Sequence, residues 1–299
     1  MNKSSVRHHY LPRHYLEGFT DDKDSFFVYD KQNDKIFRSS PSSAFFENNL
    51  NTIVSPQGTT SDWLEDFYTE VENRVWGSFD TIRNSTIKTP IDFSDKINLF
   101  LFLLFLHWRL PSNIERAEKL SEEAFREDNN VLNYIVFTDK NGNKAPEPMI
   151  EMIRSSSGFR KSMRVLLSFA PFLKDKDWEK TLANWRFLYS ADNKSWYIVG
   201  DNPIITEGHY DHDPINCLRE FVFPASGRLL LVNTHRPINK DFPPEIVVYS
   251  NIAIIERARR FAACQHKDFL EALVEQYKLF IRDRKTHLII PRLFHIFQT

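Results

Sequence analysis

The pattern of apolar and polar positions changes along the chain, and each change predicts a different kind of element. Residues 25–30 and 35–38 are short β-type runs joined by a polar turn, which predicts a hairpin. From Asp62 to about residue 183, apolar residues recur at helical spacing, which predicts a succession of helices. After residue 184 the apolar runs become short and are divided by turn residues, which is typical of an antiparallel sheet.

Strands in the C-terminal half are predicted at five runs, and two helices are predicted after them. The runs are residues 185–189, 196–199, 220–223, 228–232 and 245–249, and the helices are residues 251–263 and 266–278. We therefore expect an α+β fold, predominantly helical in the middle, with an antiparallel sheet formed mainly by the C-terminal half. We expect residues 1–299 to form a single domain, and a subdivision would fall near residues 139–147.

Composition and charge exclude several classes of protein. Hydrophobic residues make up 41% and charged residues 26%, which is ordinary globular composition. Lys+Arg total 39 and Asp+Glu 40, so no global basic field attracts nucleic acid or an anionic membrane, and such binding needs a local patch. There are 26 Phe and 8 Gly, which favours long helices with aromatic packing, and no glycine-rich phosphate-binding motif occurs.

The compartment is also predicted from the sequence. The most apolar run, Leu99 to Leu106, is shorter than the ~20 residues that span a bilayer. The N-terminus lacks the apolar centre of a signal peptide, and the two cysteines are too few for a disulfide framework. We expect a cytoplasmic protein without a membrane partner.

The densest group of polar, site-capable side chains lies in residues 8–19. His8 and His9 are adjacent, so on an extended segment they point in opposite directions. One imidazole could ligate a metal or act as a base, and Arg13 could bind an anion. Pro12 favours an extended backbone just before it, which suits a segment that presents side chains. Alternatively, these groups make structural hydrogen bonds that anchor the N-terminus.

Arg109 and the pair Asp201-Asn202 also allow either a functional or a structural interpretation. Arg109 lies where an apolar helix meets Pro111, and its guanidinium suits either an anionic substrate or a buried pair with a carboxylate such as Asp201. Asp201 and Asn202 end a β-type run before Pro203. There Asp201 could ligate a metal or orient a histidine, and Asn202 could donate to a substrate oxygen. The alternative for Asp201 is an Asx turn that caps its own backbone.

Weaker signals bear on nucleic-acid chemistry. The His-His-x-x-Pro string is similar to the opening of some HNH-type nucleases, which pair a water-activating histidine with a metal-binding one. Those enzymes need a further histidine nearby, but the next one after His14 is His107, so only a general case for histidine-based or metal-assisted chemistry remains. Residues 257–260 and 282–285 are basic clusters that either hold a phosphate backbone or cover solvated helix faces.

The chain resembles the DUF4238 family. The resemblance covers essentially the whole chain, and its most specific parts are the histidine opening and the Asp-Asn-Pro element. The positions that carry it are residues 8–13, Tyr15, Leu16, Gly18, Phe19, Arg109, Pro111, residues 201–203, Phe223, Pro224 and Asn251. It implies a mainly microbial, soluble protein, and it assigns no activity and no catalytic residue.

Two hypotheses about function follow. The first is a hydrolase acting on a phosphate-containing substrate such as nucleic acid, with a toxin or phage-defence role as its biological extension. Its site residues are His8, His9, Arg13, Arg109, Asp201 and Asn202, with a histidine as base or metal ligand, Asp201 as its partner, the arginines neutralising phosphate, and a divalent metal as an optional cofactor. The second is a non-catalytic binding or sensor module in which the same side chains form a structural polar network.

Overall fold

A computed structural model describes residues 7–55, 58–86, 88–124, 142–143, 146, 148, 151–152, 155–174, 178–190, 196–207, 218–234 and 245–297. The helices are α1 (Arg13–Glu17), α2 (Trp63–Arg83), α3 (Phe93–Arg109), α4 (Ile114–Ala124), α5 (Ser157–Lys174), α6 (Trp178–Ala183), α7 (Glu245–Arg257), α8 (Lys267–Arg282) and α9 (Ile289–Ile296). The strands are β1 (Arg7–His9), β2 (Phe26–Asp30), β3 (Lys35–Ser39), β4 (Phe46–Asn48), β5 (Ile53–Val54), β6 (Thr60–Ser61), β7 (Trp185–Tyr189), β8 (Val199–Gly200), β9 (Ile205–Thr206), β10 (Phe221–Ser226), β11 (Leu229–Asn233) and β12 (Phe261–Cys264).

The α+β class is confirmed, with antiparallel sheets beside a helical middle. One four-stranded sheet has the order β7-β11-β10-β9 and the other β3-β2-β12-β8. The C-terminal half does not form the sheets alone, because the N-terminal hairpin β2–β3 supplies half of the second sheet. There β12 pairs with β2 so that Phe261 lies opposite Asp30. A pairing between segments so distant in sequence leaves no local signal.

The two sheets lie between two groups of helices. Alternate residues of β10 face opposite ways, because Phe221 and Phe223 join the apolar core that contains α2 and α3, and Val222 joins the core that contains α7, α8 and α9. The run Leu229 to Val232 in β11 is buried at every position. A continuous apolar run of this kind is expected when both faces of a strand are covered.

The helical middle follows the predicted spacing closely. α2 buries one stripe, formed by Leu64, Tyr68, Val75, Phe79 and Ile82. α3 ends at Arg109 because Pro111 disfavours helix at the residue before it, and Leu110 is extended at φ −62° and ψ 134°. Among the described residues no single helix is long and apolar enough to cross a membrane, although α3 and the following helix would pass as a pair bent by 67°.

Residues 245–249 were expected to form a strand, but they form the first turns of α7. Their β-branched residues favour a strand locally. The helix forms instead because Ile246, Ser250 and Ile254 recur at helical spacing and are all buried, and burial of this face outweighs the local preference. Asn251 on this helix accepts from the Ile198 backbone N–H at 3.0 Å and donates to the Trp196 carbonyl at 2.7 Å. Its amide thereby acts as a partner for the strand-like segment beside it.

The helix predicted at residues 251–263 also ends earlier than expected. α7 stops at Arg257, and residues 261–264 are the central strand β12. The helix predicted at residues 266–278 is confirmed by α8. The proposed subdivision near residues 139–147 lies largely outside the described residues, and the single domain stays a prediction.

Acid is expected to destabilise the protein through His107, which is buried at the end of α3. Burial, with a smaller effect of Arg116, lowers the pKa of this imidazole to about 3. The unfolded chain therefore takes up a proton below its ordinary pKa while the folded protein does not, so stability is lost as the pH falls from about 6.5 towards 3.

The size of this effect can be measured by urea denaturation at pH 7, 6 and 5. Well below the ordinary pKa, His107 contributes about 1.4 kcal/mol of lost stability per pH unit. The variant His107→Leu lacks the titrating group, so its free energy of unfolding should fall less steeply with acid than that of the wild type. Parallel pH profiles for the two proteins would rule out this role.

Candidate functional site

The histidine opening is built into the core of the fold. β1 pairs with β4 so that His8 lies opposite Glu47, and α1 begins directly after Pro12. Tyr15 on α1 is fully buried, donates from its hydroxyl to the Pro224 carbonyl at 2.8 Å and stacks on Phe223 with ring centroids 5.2 Å apart. Tyr15 therefore joins α1 to β10.

His8 belongs to a set of buried and half-buried polar side chains connected by hydrogen bonds. The set, called here the polar network, comprises His8, Asn51, Glu65, Glu72, Arg109 and Arg164. The Asn51 backbone N–H donates to His8 Nδ1 at 2.9 Å. The Asn51 amide donates to Glu65 Oε2 at 2.6 Å and accepts from Arg164 Nη2 at 3.1 Å. His8 Nδ1 is thus an acceptor, and it is already occupied.

Arg109 is the cation that joins the two carboxylates of the polar network. Its Nη1 donates to Glu72, and its Nη2 lies 3.4 Å from Glu65 Oε1. The guanidinium carbon also lies 4.8 Å from the centre of the Tyr68 ring. Burial lowers the pKa of Arg109, but the charges of Glu72 and Glu65 raise it more. The carboxylate partner of Arg109 is therefore not Asp201, the partner considered from the sequence, but the pair of glutamates on α2.

Three donor atoms in this region have no hydrogen-bond partner among the described residues. They are the Tyr68 hydroxyl, Arg109 Nε and Arg164 Nη1. A cavity of about 10 Å³ lies beside Tyr68, Glu72 and Arg109. A space of this size holds about one water molecule and no larger ligand.

His9 and Arg13 lie near the polar network but outside its chain of bonds. The His9 ring packs on Phe46 at 5.7 Å, and its Nε2 has no partner among the described residues. Burial lowers the pKa of His9, and the charges of Arg109 and Arg13 lower it further. Arg13 is exposed. His9, Arg13 and Arg109 are therefore close enough to interact electrostatically, as the hydrolase hypothesis requires.

Asp201 lies elsewhere and follows β8 directly. Its carboxylate accepts from the backbone N–H groups of Arg259, Arg260 and Phe261 at 2.7, 2.7 and 2.9 Å. Burial raises the pKa of Asp201, and these hydrogen bonds oppose that rise. The Asx turn considered from the sequence is replaced by a long-range contact, in which Asp201 holds the turn that leads into β12. Asn202 beside it is half-buried.

The backbone turn held by Asp201 forms part of a cleft of about 170 Å³, the arginine cleft. It is lined by Tyr10, Gln32, residues 46–47, residues 111–112, Asp201 and residues 259–261. Of the predicted site residues, Asp201 lies in this cleft, and His8 and Arg109 lie in the polar network. The cleft residues Tyr10 and Glu47 were not predicted, and Arg259 and Arg260 were seen only as part of a basic cluster.

Each arginine of the arginine cleft pairs with a carboxylate, Arg259 with Glu47 of the lining and Arg260 with Asp30, which is not part of the lining. Arg259 Nη1 lies 3.4 Å from Glu47 Oε1, and Arg260 Nη2 lies 3.0 Å from Asp30 Oδ2. Burial raises the pKa of Asp30, but hydrogen bonds from Arg260 and Asn33 lower it to about 2. Arg259 and Arg260 are 61% and 43% exposed, so both remain accessible to a ligand.

Tyr10 places a neutral hydroxyl among these charges. The side chain is 4% exposed, and its hydroxyl makes no hydrogen bond within the part of the chain that the structure describes. Burial is the largest effect that raises the pKa of the Tyr10 hydroxyl, and the charges of Asp201 and Glu47 raise this pKa further. The hydroxyl is therefore a protonated, unused donor at the cleft.

Among the described residues, no group of three His, Cys, Asp or Glu side chains could hold a metal ion. The lining of the arginine cleft contains two arginines, Arg259 and Arg260, and guanidinium donors suit anions.

Comparison with known proteins identifies a family to which most of the chain is similar. A family model described as protein of unknown function DUF4238 matches residues 7–268, a range that contains β1, the polar network, Asp201 and the arginine cleft. No curated protein and no solved structure matches the chain. The match covers most of the 299 residues. The chain belongs to the DUF4238 family.

Proposed function

We propose that the protein is a binding or sensor module that takes a phosphate-bearing ligand in the arginine cleft. The observation that carries this proposal is the position of Arg259 and Arg260, which are adjacent in the cleft lining on a turn held by Asp201. Guanidinium groups bind phosphate oxygens through parallel N–H donors. A turn held by three hydrogen bonds orients both side chains before the ligand arrives, which lowers the entropic cost of binding.

Donors remain for such a ligand after the internal pairs are counted. Arg259 contacts Glu47 through Nη1, which leaves Nε and Nη2, and Arg260 contacts Asp30 through Nε and Nη2, which leaves Nη1. The Tyr10 hydroxyl adds a neutral donor. These groups together can satisfy several oxygens of one phosphate.

The internal bonds of the predicted catalytic residues favour binding over catalysis. His8 Nδ1 accepts a backbone N–H, Arg109 pairs with two glutamates, and the Asp201 carboxylate accepts three N–H groups. A general base must reach the proton that it removes. Groups already used in this way are better suited to hold the fold than to carry out a reaction.

Hydrolysis of a phosphodiester, in a toxin or phage-defence setting, is the second candidate. It is favoured by one observation, the unpartnered Nε2 of His9 beside the positive charges of Arg13 and Arg109. Because its pKa is lowered, this imidazole is neutral at pH 7 and can accept a proton. Strand cleavage by the wild type, lost in His9→Ala and tested with and without a divalent metal, would favour this candidate over binding alone.

Binding is tested by isothermal titration with inorganic phosphate, a nucleoside monophosphate and a 12-nucleotide single strand. Arg259→Ala should weaken binding of whichever ligand binds by about 10-fold or more, because charge-assisted hydrogen bonds are lost. Arg257→Ala is the matched control, since Arg257 ends α7 outside the cleft lining. Absence of binding for all three ligands, or equal weakening by both variants, would contradict the proposal.

A further inference from the structure

The arginine cleft carries as much negative as positive charge. Its lining contains Arg259 and Arg260, and it also contains the carboxylates of Glu47 and Asp201. All four charged side chains line the same cleft as Tyr10. The formal charge of the lining is therefore zero. A site built for a dianion such as a free phosphate monoester would be expected to carry an excess of positive charge.

Resting on the function proposed above, we propose that the cleft selects a phosphodiester, which carries one negative charge, over a phosphate monoester, which carries nearly two. The selecting group is Glu47, whose side chain is 40% exposed and lies 3.4 Å from Arg259. A phosphate that approaches Arg259 comes close to this carboxylate. Each additional negative charge on the ligand is therefore repelled at short range.

Neutral groups of the cleft suit the same ligand. The hydroxyls of Tyr10 and Ser112 and the amide of Gln32 make no side-chain hydrogen bond within the described ranges, so they are available as donors without adding charge. A monoanionic diester needs fewer compensating charges than a dianion, and neutral donors can supply the remaining hydrogen bonds.

The apolar lining and the volume of the cleft also fit a diester. Phe46, Pro111 and Phe261 provide apolar surface, and a diester has carbon substituents on two of its oxygens. A volume of about 170 Å³ is below the 300–1,000 Å³ typical of pockets for drug-sized ligands. The cleft therefore takes one phosphodiester group with its nearest carbons, and the remainder of the ligand stays in solvent.

Among nucleotide ligands, a nucleic-acid backbone and a cyclic nucleotide both supply this chemistry, and a panel of small ligands separates them. The panel contains a dinucleotide without a terminal phosphate, a 3′,5′-cyclic mononucleotide, the corresponding 5′-monophosphate and inorganic phosphate. Isothermal titration at pH 7.5 and low salt measures each dissociation constant. At least one diester should bind about 10-fold more tightly than the monoester. The tighter of the two diesters identifies the source.

Glu47→Gln tests the cause of the selectivity. The amide keeps the shape but removes the charge, so the ratio of diester to monoester affinity should fall to about 2-fold or less, even if every ligand binds more tightly because Arg259 is released. Glu70→Gln is the matched control, because it removes one exposed carboxylate that pairs with Arg74 outside the cleft. This control should leave the ratio unchanged.

The outcomes separate the inference from the function on which it rests. If the monoester binds as tightly as the diesters, and Arg259→Ala weakens both, the cleft binds phosphate but the diester selectivity is wrong. If the wild-type ratio is high but Glu47→Gln leaves it unchanged, Glu47 is not the selecting group and the inference fails. If no ligand of the panel binds, the proposed function fails as well.

Discussion

Replacing Asp201 with alanine is expected to lower the free energy of unfolding by about 3–5 kcal/mol, because each buried N–H group left without an acceptor costs about 1–3 kcal/mol. The carboxylate serves three such groups and is 6% exposed. Water that enters through the arginine cleft will satisfy part of the loss, which keeps the sum below its upper limit. Urea denaturation at pH 7 measures the difference.

The variant Asp201→Asn is the control for shape. One amide oxygen can still accept an N–H group, but the amide nitrogen then faces backbone donors and repels them. We expect a loss smaller than that of alanine but above about 1 kcal/mol. An alanine variant as stable as the wild type would show that the carboxylate does not hold this turn. That outcome would favour the hydrolase hypothesis for Asp201, since replacing a strained catalytic group often leaves a protein as stable or makes it more stable.

Replacing Arg109 with methionine is expected to cost about 3–5 kcal/mol at pH 7, because breaking a buried pair leaves an uncompensated charge. Methionine keeps most of the length of the side chain but has no positive charge and no hydrogen-bond donor for Glu72 and Glu65. The control Arg74→Met removes an arginine on the exposed side of α2, where the guanidinium is 75% exposed and pairs with Glu70. That surface pair should contribute less than about 1 kcal/mol.

The cost of Arg109→Met should also depend on pH. Burial raises the pKa of Glu72, and Arg109 opposes that rise, so the variant raises this pKa further. When the pKa of a carboxyl is higher in the folded than in the unfolded state, protonation of that carboxyl stabilises the folded protein. This stability is lost as the pH rises through the folded pKa. The difference in unfolding free energy between wild type and variant should therefore be smaller at pH 5 than at pH 7.

A second substitution identifies the charge responsible for this loss. Adding Glu72→Gln to Arg109→Met removes the stranded carboxylate, so at least about half of the lost stability should return. The pH dependence of the difference should disappear at the same time. If the double variant is no more stable than the single one, the loss comes from packing around Arg109 and not from an unpaired charge.

The N-terminal motif predicts a site from its density of polar residues, but its contacts could not be predicted from the pattern. His8 and Arg109 were expected at a reaction centre, and they lie in a network with glutamates of α2. A signal for those glutamates existed, because Glu65, Tyr68 and Glu72 are spaced by three and four residues and so share one face of the helix. Carboxylates on a helix face that also carries a buried tyrosine indicate a buried cation opposite them.

The helix α7 shows why local preference was insufficient at the C-terminal half. Ile246 and Val247 favour strands as isolated residues, but helical spacing places Ile246 together with Asn251 and Ile254 in the interior. Asn251 then satisfies two backbone groups of the segment before β8. Burial of this face outweighs the small differences in intrinsic preference.

By itself the sequence determined the α+β class, most of the helices, the hairpin β2–β3 and the strands β7, β10 and β11, and the absence of glycine-rich phosphate motifs, because periodicity and composition are local properties. Only the tertiary structure decided that Asp201 holds the turn at residues 259–261, that Arg109 pairs with Glu65 and Glu72, and that Glu47 lies beside Arg259. These contacts join residues distant along the chain. Their partners are selected by chain packing and by the need to give most buried polar groups a hydrogen-bond partner, which no short stretch of sequence records.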